Sequence, residues 1–301
     1  MQNKCKILVL FVSFMAIFAI AGCSSGDDSE KTDASTAKKE TTEESEQRIV
    51  AGTVVIAEIL DKLEIDAIAV PETEKELPAR FDGLASLGNA MEPDMEIVKS
   101  LNPTDVLSVS TLEYDLKDKF EQLKVPVNFL NFQSVDAMLA EIKTLGERYE
   151  RNAQAEELIA SLQKNIDAVQ TVAANKEGPR VLILLGIPGS YLVATENSYA
   201  GDLVKRAGGV NVMEGQKEEY LASNTEYLHN SNPDFILRLS HGMPDEVVKM
   251  FDEEFKTNDI WKHFNAVKNG KVYDLEEELF GTTASLQVPQ ALGQLMEIFY
   301  R

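Results

Sequence analysis

Residues 96–110 read EIVKSLNPTDVLSVS and residues 226–240 read EYLHNSNPDFILRLS, so one pattern occurs in each half of the chain. The opening Glu, the Asn-Pro pair, the apolar pair and the closing Ser match at a constant offset without gaps. Asn-Pro is typical of a turn, because Pro cannot continue a helix and disfavours helical backbone in the residue before it. Each copy therefore predicts a helix, a turn and a buried strand, and the repeat predicts two similar lobes.

The segment between the two copies predicts helices. Apolar residues recur at helical spacing from Val135 to about Asn175, where Gly146 is the only glycine and proline is absent. The second helix, from Asn152 to about Ala174, would run about 35 Å at roughly 1.5 Å per residue. Gly178 and Pro179 follow it and end it.

Elsewhere, strand and helix patterns alternate. We expect strands over residues 48–50, 67–70, 106–110, 127–130 and 181–185, and helices over residues 54–63 and 93–101. The sequence therefore predicts an α/β protein with two α/β lobes bridged by one long helix, and a cleft between the strand ends. The predicted divisions are an N-lobe (48–133), a helical segment with the bridging helix (134–178) and a C-lobe (179–301).

The first residues carry an export signal. Lys4 and Lys6 precede an apolar run, residues 7–20, which is too short to span a bilayer but suits a signal peptide. The run ends in Ile-Ala-Gly-Cys23, the bacterial lipobox pattern, so residues 1–22 are predicted to be removed and Cys23 to be acylated. The alternative is an uncleaved anchor followed by an ordinary thiol. We expect a lipid-anchored protein on the outer face of the cell membrane.

The mature chain would be strongly acidic and would begin with a spacer. Residues 24–47 contain no aromatic residue and no aliphatic residue larger than Ala, which predicts a disordered linker after Cys23. Loss of Lys4 and Lys6 with the signal peptide takes the formal net charge from −21 to −23. This charge argues against nucleic acid as a partner and favours a basic protein surface.

The predicted folded part shows no catalytic motif, and His241 is its best candidate for binding. From Arg48 onward there is no nucleophile elbow, zinc-protease motif, P-loop or C-x-x-C. His241 directly follows the predicted strand of the second repeat, where ligands gather in open α/β sheets. The sequence around His263 is more typical of a helix surface, or of a core histidine whose hydrogen bonds are satisfied. His229 is expected on the solvent-facing side of a helix.

Met91 is the second candidate. It precedes Pro93, which suits the first turn of a helix, so Met91 lies in the loop that enters this helix. The ordinary role of a methionine is packing. A methionine paired with a cleft histidine from the opposite lobe would suit heme, because Met/His ligation is a recognised way to hold heme iron.

Several segments resemble a known family. Residues 89–93 (NAMEP), 106–111 (VLSVST), 188–195 (PGSYLVAT), 239–244 (LSHGMP) and 258–263 (NDIWKH) are similar to the heme-receptor lipoproteins of Gram-positive bacteria. These belong to the class III substrate-binding proteins of ABC importers, which serve siderophores, vitamin B12 and heme. The resemblance covers nearly all of residues 48–301. It implies the same fold of two lobes bridged by one long helix.

The resemblance also implies a function and a set of site residues. Heme b would be the transported ligand, received from cell-surface heme donors and passed to an ABC permease and its ATPase. By motif, Met91 and His241 would be the axial ligands of the heme iron. The heme propionates would bind at Val54, Val55, Thr73, Glu74 and Lys75, and Glu96 and Glu226 would dock onto the permease.

Two other functions stay open at this stage. A ferric-siderophore receptor of an ABC importer would be expected to carry Arg and aromatic side chains around its cleft, and this chain has a single Trp. A surface lipoprotein enzyme, for example a heme-modifying or carbohydrate-active one, would need an open iron position or a pair of carboxylates. The three functions can be distinguished by mixing the purified protein with heme and assaying for colour and for product.

Overall fold

The computed structural model describes residues 47–223, 228 and 231–301. The predicted signal peptide, the anchor Cys23 and nearly all of the acidic linker lie outside these residues, as do Glu226 and His229. Within the described part of the chain, no helix combines the length and the apolar composition needed to cross a bilayer.

The N-lobe is built on a parallel sheet. Its strands are β1 (Ile49–Ala51), β2 (Ala69–Val70), β3 (Ala85–Ser86), β4 (Asp105–Val109) and β5 (Val127–Leu130), and its helices are α1 (Val54–Lys62), α2 (Met95–Ser100) and α3 (Glu113–Leu123). The strands lie in the order β3-β2-β1-β4-β5. The chain first adds strands on one side of β1 and then, from β4 onward, on the other side, so the direction of the strand order reverses between β1 and β4. A ligand crevice is expected at the carboxyl ends of these two strands.

Two helices follow the N-lobe, as the spacing of the apolar residues predicts. They are α4 (Val135–Arg148) and α5 (Asn152–Ala173). Ser134 caps α4 because its hydroxyl accepts a hydrogen bond from the amide of Ala137 (3.2 Å). Helix α5 has 22 residues, and it buries Leu162 and Ile166 on its apolar face.

The C-lobe contains a mixed sheet. Its strands are β6 (Arg180–Ile187), β7 (Ser190–Ala194), β8 (Val210–Asn211), β9 (Tyr220–Ala222), β10 (Phe235–Ser240) and β11 (Val272–Leu275), and its helices are α6 (Tyr199–Arg206), α7 (Pro244–Thr257), α8 (Asn265–Lys268) and α9 (Val288–Tyr300). The order is β11-β10-β6-β7-β9, with β8 beside β6. Strands β10 and β11 run parallel to β6, whereas β7 is antiparallel to it.

The repeat has the same place in both sheets. Strand β4 lies parallel to β1, the first strand of the N-lobe, and β10 lies parallel to β6, the first strand of the C-lobe. Asn102 and Asn232 both adopt left-handed backbone, with φ of 44° and 39°. Asn tolerates this conformation better than most residues with a Cβ. The predicted turn and strand are therefore confirmed in both halves.

The two lobes are joined at the base of the cleft. Helix α5 packs against α1 of the N-lobe and against α6 and α9 of the C-lobe, so one apolar core runs through both lobes. The amide of Val135 donates to the Asp202 carboxylate (2.9 Å), and the amide of Ala284 donates to the carbonyl of Phe132 (2.7 Å). The predicted arrangement of two α/β lobes bridged by one long helix is confirmed.

Some predicted bounds are wrong by a few residues. The strand predicted over 67–70 contains only Ala69 and Val70, and the strand predicted over 106–110 ends at Val109, after which a short 3₁₀ turn, Ser110–Leu112, begins. His263, expected on a helix surface or in the core, lies in a single 3₁₀ turn, Trp261–His263. These differences fall at element ends, where capping and neighbouring strands decide where pairing stops.

Candidate functional site

A cavity of about 660 Å³ lies between the lobes at the carboxyl ends of their strands. This volume is within the range of small-molecule sites, on the order of 300–1,000 Å³. Its lining brings together Val54, Val55, Glu74 and Lys75 from the N-lobe and His241 from the C-lobe. The cleft predicted from the strand pattern is therefore present, and five of the predicted binding residues line it.

The N-lobe wall of the cavity is the N-terminus of α1. Thr53 caps the helix, since its side chain accepts a hydrogen bond from the amide of Ile56 (3.4 Å). The first-turn amides of Val54 and Val55 have no partner within the helix. Amides in this position, at the positive end of the helix dipole, favour an anion.

Gly52 allows this helix to begin where it does. Its amide donates to the carbonyl of Leu107 (2.8 Å), which extends the contact between β1 and β4. A Cβ on Gly52 would lie only 2.6 Å from that oxygen. Local sequence patterns do not reveal this role of Gly52, because the close approach depends on the pairing of two distant strands.

The loop after β2 forms another part of the wall. The Thr73 hydroxyl accepts a hydrogen bond from the amide of Lys75 (3.0 Å), which fixes a tight turn. Glu74 and Lys75 face the cavity, whereas Thr73 shapes the turn without lining the cavity. The cavity therefore has a lysine close to the N-terminus of α1.

His241 stands on the opposite wall, directly after β10. Its amide donates to the carbonyl of Gly186 (2.9 Å), and its side chain is 41% exposed. Gly242 and Met243 both adopt positive φ (72° and 47°), which turns the chain away into α7. The imidazole therefore lies at the end of a buried strand with an accessible face.

Glu277 holds this turn and lies beside the imidazole. One of its carboxylate oxygens accepts a hydrogen bond from the amide of Gly242 (2.9 Å) and lies 3.8 Å from Nδ1 of His241. Glu277 follows β11, which pairs with β10, so its position comes from the sheet order. The run Glu276–Glu278 is visible in the sequence, but the strand that neighbours it is not.

Met91 directly follows Ala90, which lines the cavity, but is not itself a lining residue. The Asn89 side chain accepts a hydrogen bond from the amide of Met91 (2.8 Å) and fixes the turn before α2. Ala90 lines the cavity, and the Met91 side chain is 54% exposed. Exposure of this kind is unusual for a methionine whose role is packing. Met91 is therefore accessible to solvent, one residue away from the lining of the cavity.

Carboxylates dominate the charge of the cavity. Its acidic lining residues are Glu58, Glu74, Glu76, Glu277 and Glu278, against one lysine, Lys75, among the lining residues that the structure describes. Burial raises the pKa of the Glu58 carboxyl, Lys75 opposes the shift, and Glu278 adds to it. A ligand with carboxylate groups would therefore find favourable positions only near the helix N-terminus and Lys75.

The two predicted docking residues cannot be compared directly. Glu96 is exposed in the first turn of α2, where the Asp94 side chain caps the helix by accepting from the amide of Glu96 (2.9 Å). Glu226 lies outside the described residues.

Residues 49–279 match the periplasmic binding protein family. The chain belongs to this family. The match covers β1 through the glutamate run that follows β11, and so includes the N-terminus of α1, the loop after β2 and His241.

Members of this family with closely similar sequences support the assignment. The chain is 49% identical to the high-affinity heme uptake system protein IsdE of Staphylococcus aureus (strain Newman), over 89% of this chain and 92% of that protein. The predicted resemblance is therefore confirmed.

Two solved structures of the periplasmic binding protein family match closely. An ABC transporter substrate-binding protein from Listeria monocytogenes EGD-e has a TM-score of 0.82 and 55% identity, over 84% of this chain and 98% of that one. The structure of S. aureus IsdE complexed with heme also has a TM-score of 0.82, with 49% identity over 85% of this chain and 100% of that one.

Proposed function

We propose that this chain binds heme and delivers it to an ABC transporter permease for iron acquisition. The observation that carries the proposal is the cavity between the lobes, which has His241 on one wall and the N-terminus of α1 with the Ala90–Met91 loop on the other. The relative that is 49% identical is named as a heme uptake protein, and its structure contains heme. The substrate-binding family also supports a transport role, and we expect no catalytic activity.

The proposed iron ligands are Met91 and His241, one from each lobe. A thioether and an imidazole are suitable axial ligands for heme iron. With both bound, the iron would be six-coordinate and would keep no open position for oxygen. This arrangement suits transport of intact heme better than heme breakdown.

The proposed propionate site is the N-lobe wall. The amides of Val54 and Val55 would donate to one carboxylate, and Lys75 would supply the cationic charge for the other. Thr73 would act through the turn that presents Lys75, and Glu74 would have to point away from a bound carboxylate. This division of roles agrees with the hydrogen bond from the Lys75 amide to Thr73.

Glu277 is the residue proposed to orient His241. In metal sites a histidine ligand usually donates a hydrogen bond from its second ring N–H to a carboxylate or carbonyl, which fixes the ring and raises its basicity. Glu277 lies 3.8 Å from Nδ1 of His241, so Nε2 would be left to reach the iron.

The tether and the partners belong to the same proposal. Cys23 would be acylated and the chain cut just before it, and the linker over 23–47 would let the lobes reach a surface heme donor and then the permease with its ATPase. Glu96 and Glu226 would dock onto basic patches of the permease, one from each copy of the repeat. Labelling with radioactive palmitate, with Cys23→Ala as the control, tests the anchor directly.

The function is tested by heme titration of the purified protein. We expect a shifted and sharpened Soret band for the unmodified chain, and a changed spectrum with weaker binding for His241→Ala, because an axial ligand is lost. His263→Ala is the matched control, since His263 is exposed on a C-lobe turn. An identical Soret band in His241→Ala would sink the ligand assignment, and no heme binding at all would sink the function.

A further inference from the structure

Glu58 is a cavity residue that the proposed heme site does not use. It lies on α1, four residues after Val54, so both residues share one face of the helix. Its side chain lines the cavity beside Val54, Val55 and Lys75. Glu58 therefore lies one helical turn from the amides that are proposed to bind a carboxylate.

Glu58 lines two neighbouring cavities, and most of the charged groups that line them are acidic. These groups come from α1 itself, from the loops of the N-lobe and from the C-lobe, and they are Asp61, Lys62, Glu74, Lys75, Glu76, Asp82, His241, Glu277 and Glu278. The side of α1 that packs against β1 and α5 is apolar, with Ile56, Ile59 and Leu60 buried. Glu58 therefore has cationic neighbours only on its exposed side, at Lys62 and Lys75.

Neither lysine neutralises Glu58 fully. Within the described residues, no ion pair or hydrogen bond reaches its carboxylate, although both lysines act on it at longer range. The group is half-buried, and burial raises its pKa above the ordinary value, with Lys75 opposing and Glu278 adding to the shift. If a carboxylate of a ligand interacted with Lys75, the ionised form of Glu58 would lose the main interaction that stabilises it.

We infer that Glu58 takes up a proton from solvent when a porphyrin carboxylate binds at the N-terminus of α1, and that it thereby sets the pH dependence of ligand affinity. The inference rests on the proposed function. A bound carboxylate close to Glu58 disfavours its ionised form, because like charges in a partly buried site repel. The proton comes from the buffer and leaves again when the ligand leaves.

The sign of the effect follows from this linkage. Because the complex would hold one more proton than the empty protein, affinity should fall as pH rises through the interval between the pKa of Glu58 without ligand and its higher pKa with ligand. Binding of any histidine to heme iron has the opposite pH dependence, because an imidazolium cannot bind iron. A ligand without iron therefore separates the two effects.

Metal-free protoporphyrin IX is the probe that separates them, because it has the two carboxylates and lacks iron. Fluorescence titrations in half-unit steps from about pH 5 to about pH 8 should give an affinity that falls as pH rises, by about a factor of ten for each unit by which ligand binding raises the pKa of Glu58. Calorimetry in two buffers with different ionisation enthalpies should give net proton uptake. The dimethyl ester of the same porphyrin, which has no carboxylate, should show neither effect.

Glu58→Gln removes the titrating group and keeps its shape. It should bind protoporphyrin about tenfold more tightly at pH 8 and abolish both the pH dependence and the proton uptake. Glu157→Gln, which changes an exposed glutamate on α5, is the charge-matched control and should behave as the unmodified chain. Equal thermal melting of the variants shows that each one is folded.

Two results contradict the inference. If proton uptake is the same in Glu58→Gln and in the unmodified chain, the proton binds to another group. If the unmodified chain takes up no proton on ligand binding, the proposed linkage does not exist. Failure of both heme and protoporphyrin to bind at every pH overturns the proposed function itself, and the inference falls with it.

Discussion

At the scale of single residues, the end of β10 determines how the C-lobe presents His241 to the cavity. His241 extends the strand by one hydrogen bond to Gly186, and then Gly242 and Met243 turn the chain away. Glu277 accepts from the amide of Gly242, which fixes the turn, and the same carboxylate oxygen lies 3.8 Å from Nδ1 of His241.

Replacing Glu277 by Gln should weaken heme binding by about ten- to a hundredfold, because a carboxylate that orients a metal-binding histidine is lost. Glu276→Gln is the matched control, since Glu276 is the exposed neighbour in the same run. Competition for heme with apo-myoglobin measures the difference. Equal heme retention by the two variants would show that Glu277 serves only the turn.

At the scale of secondary-structure elements, the start of α1 depends on how closely β1 approaches β4. The carbonyl of Leu107 accepts from the Gly52 amide, and Thr53 then caps the helix whose first amides face the cavity. The anion-binding end of α1 is therefore positioned by a strand more than fifty residues further along the chain.

Gly52→Ala should lower the free energy of unfolding by about 1–3 kcal/mol, because the new Cβ would crowd the Leu107 oxygen and force the backbone to shift. Gly293→Ala is the control. Gly293 lies in α9, where an added Cβ would meet open space, so alanine there should stabilise by about 0.5–1 kcal/mol. Urea denaturation followed by circular dichroism measures both, and a neutral Gly52→Ala would contradict the role given to the close approach.

Helix α1 illustrates how much of the fold and of the site the sequence could predict. Strands β4, β5, β6 and β10, helices α1, α4 and α5 and the repeat follow from local patterns, and so does the position of His241 after a buried strand. The roles of Gly52, Glu58 and Glu277 do not, because each depends on which strands or lobes become neighbours. Met91 becomes a candidate when its loop is paired with His241, and the exposure of its side chain can only be measured in the folded chain.

At the scale of the whole molecule, the lobes are joined through α4, α5 and α6. Arg206 of α6 is 9% exposed and forms ion pairs with Asp136 of α4 (2.8 Å) and with Asp202 on its own helix (2.9 Å). Asp202 in turn accepts from the amide of Val135, so these charges tie the C-lobe to the helical segment. We expect only small lobe movements when a ligand binds.

Arg206→Ala should lower the free energy of unfolding by about 3 kcal/mol, because it leaves the carboxylate of Asp202 largely buried without its cation. The control is Arg301→Ala, which breaks an exposed pair with Glu297 and should cost less than about 1 kcal/mol. Urea denaturation at neutral pH compares them. Similar losses in the two variants would mean that the Arg206 pairs do not couple the lobes.

The exposed side chain of Met91 has a consequence for the chemistry of the empty protein. A solvent-accessible thioether is open to oxidation, and methionine sulfoxide is a polar, chiral group with an oxygen on the sulfur that would bind the iron. If Met91 binds the iron, a porphyrin seated over it would shield the sulfur from peroxide. The unloaded protein would then be the oxidant-sensitive form, and sulfoxide reduction would restore a damaged receptor without new synthesis.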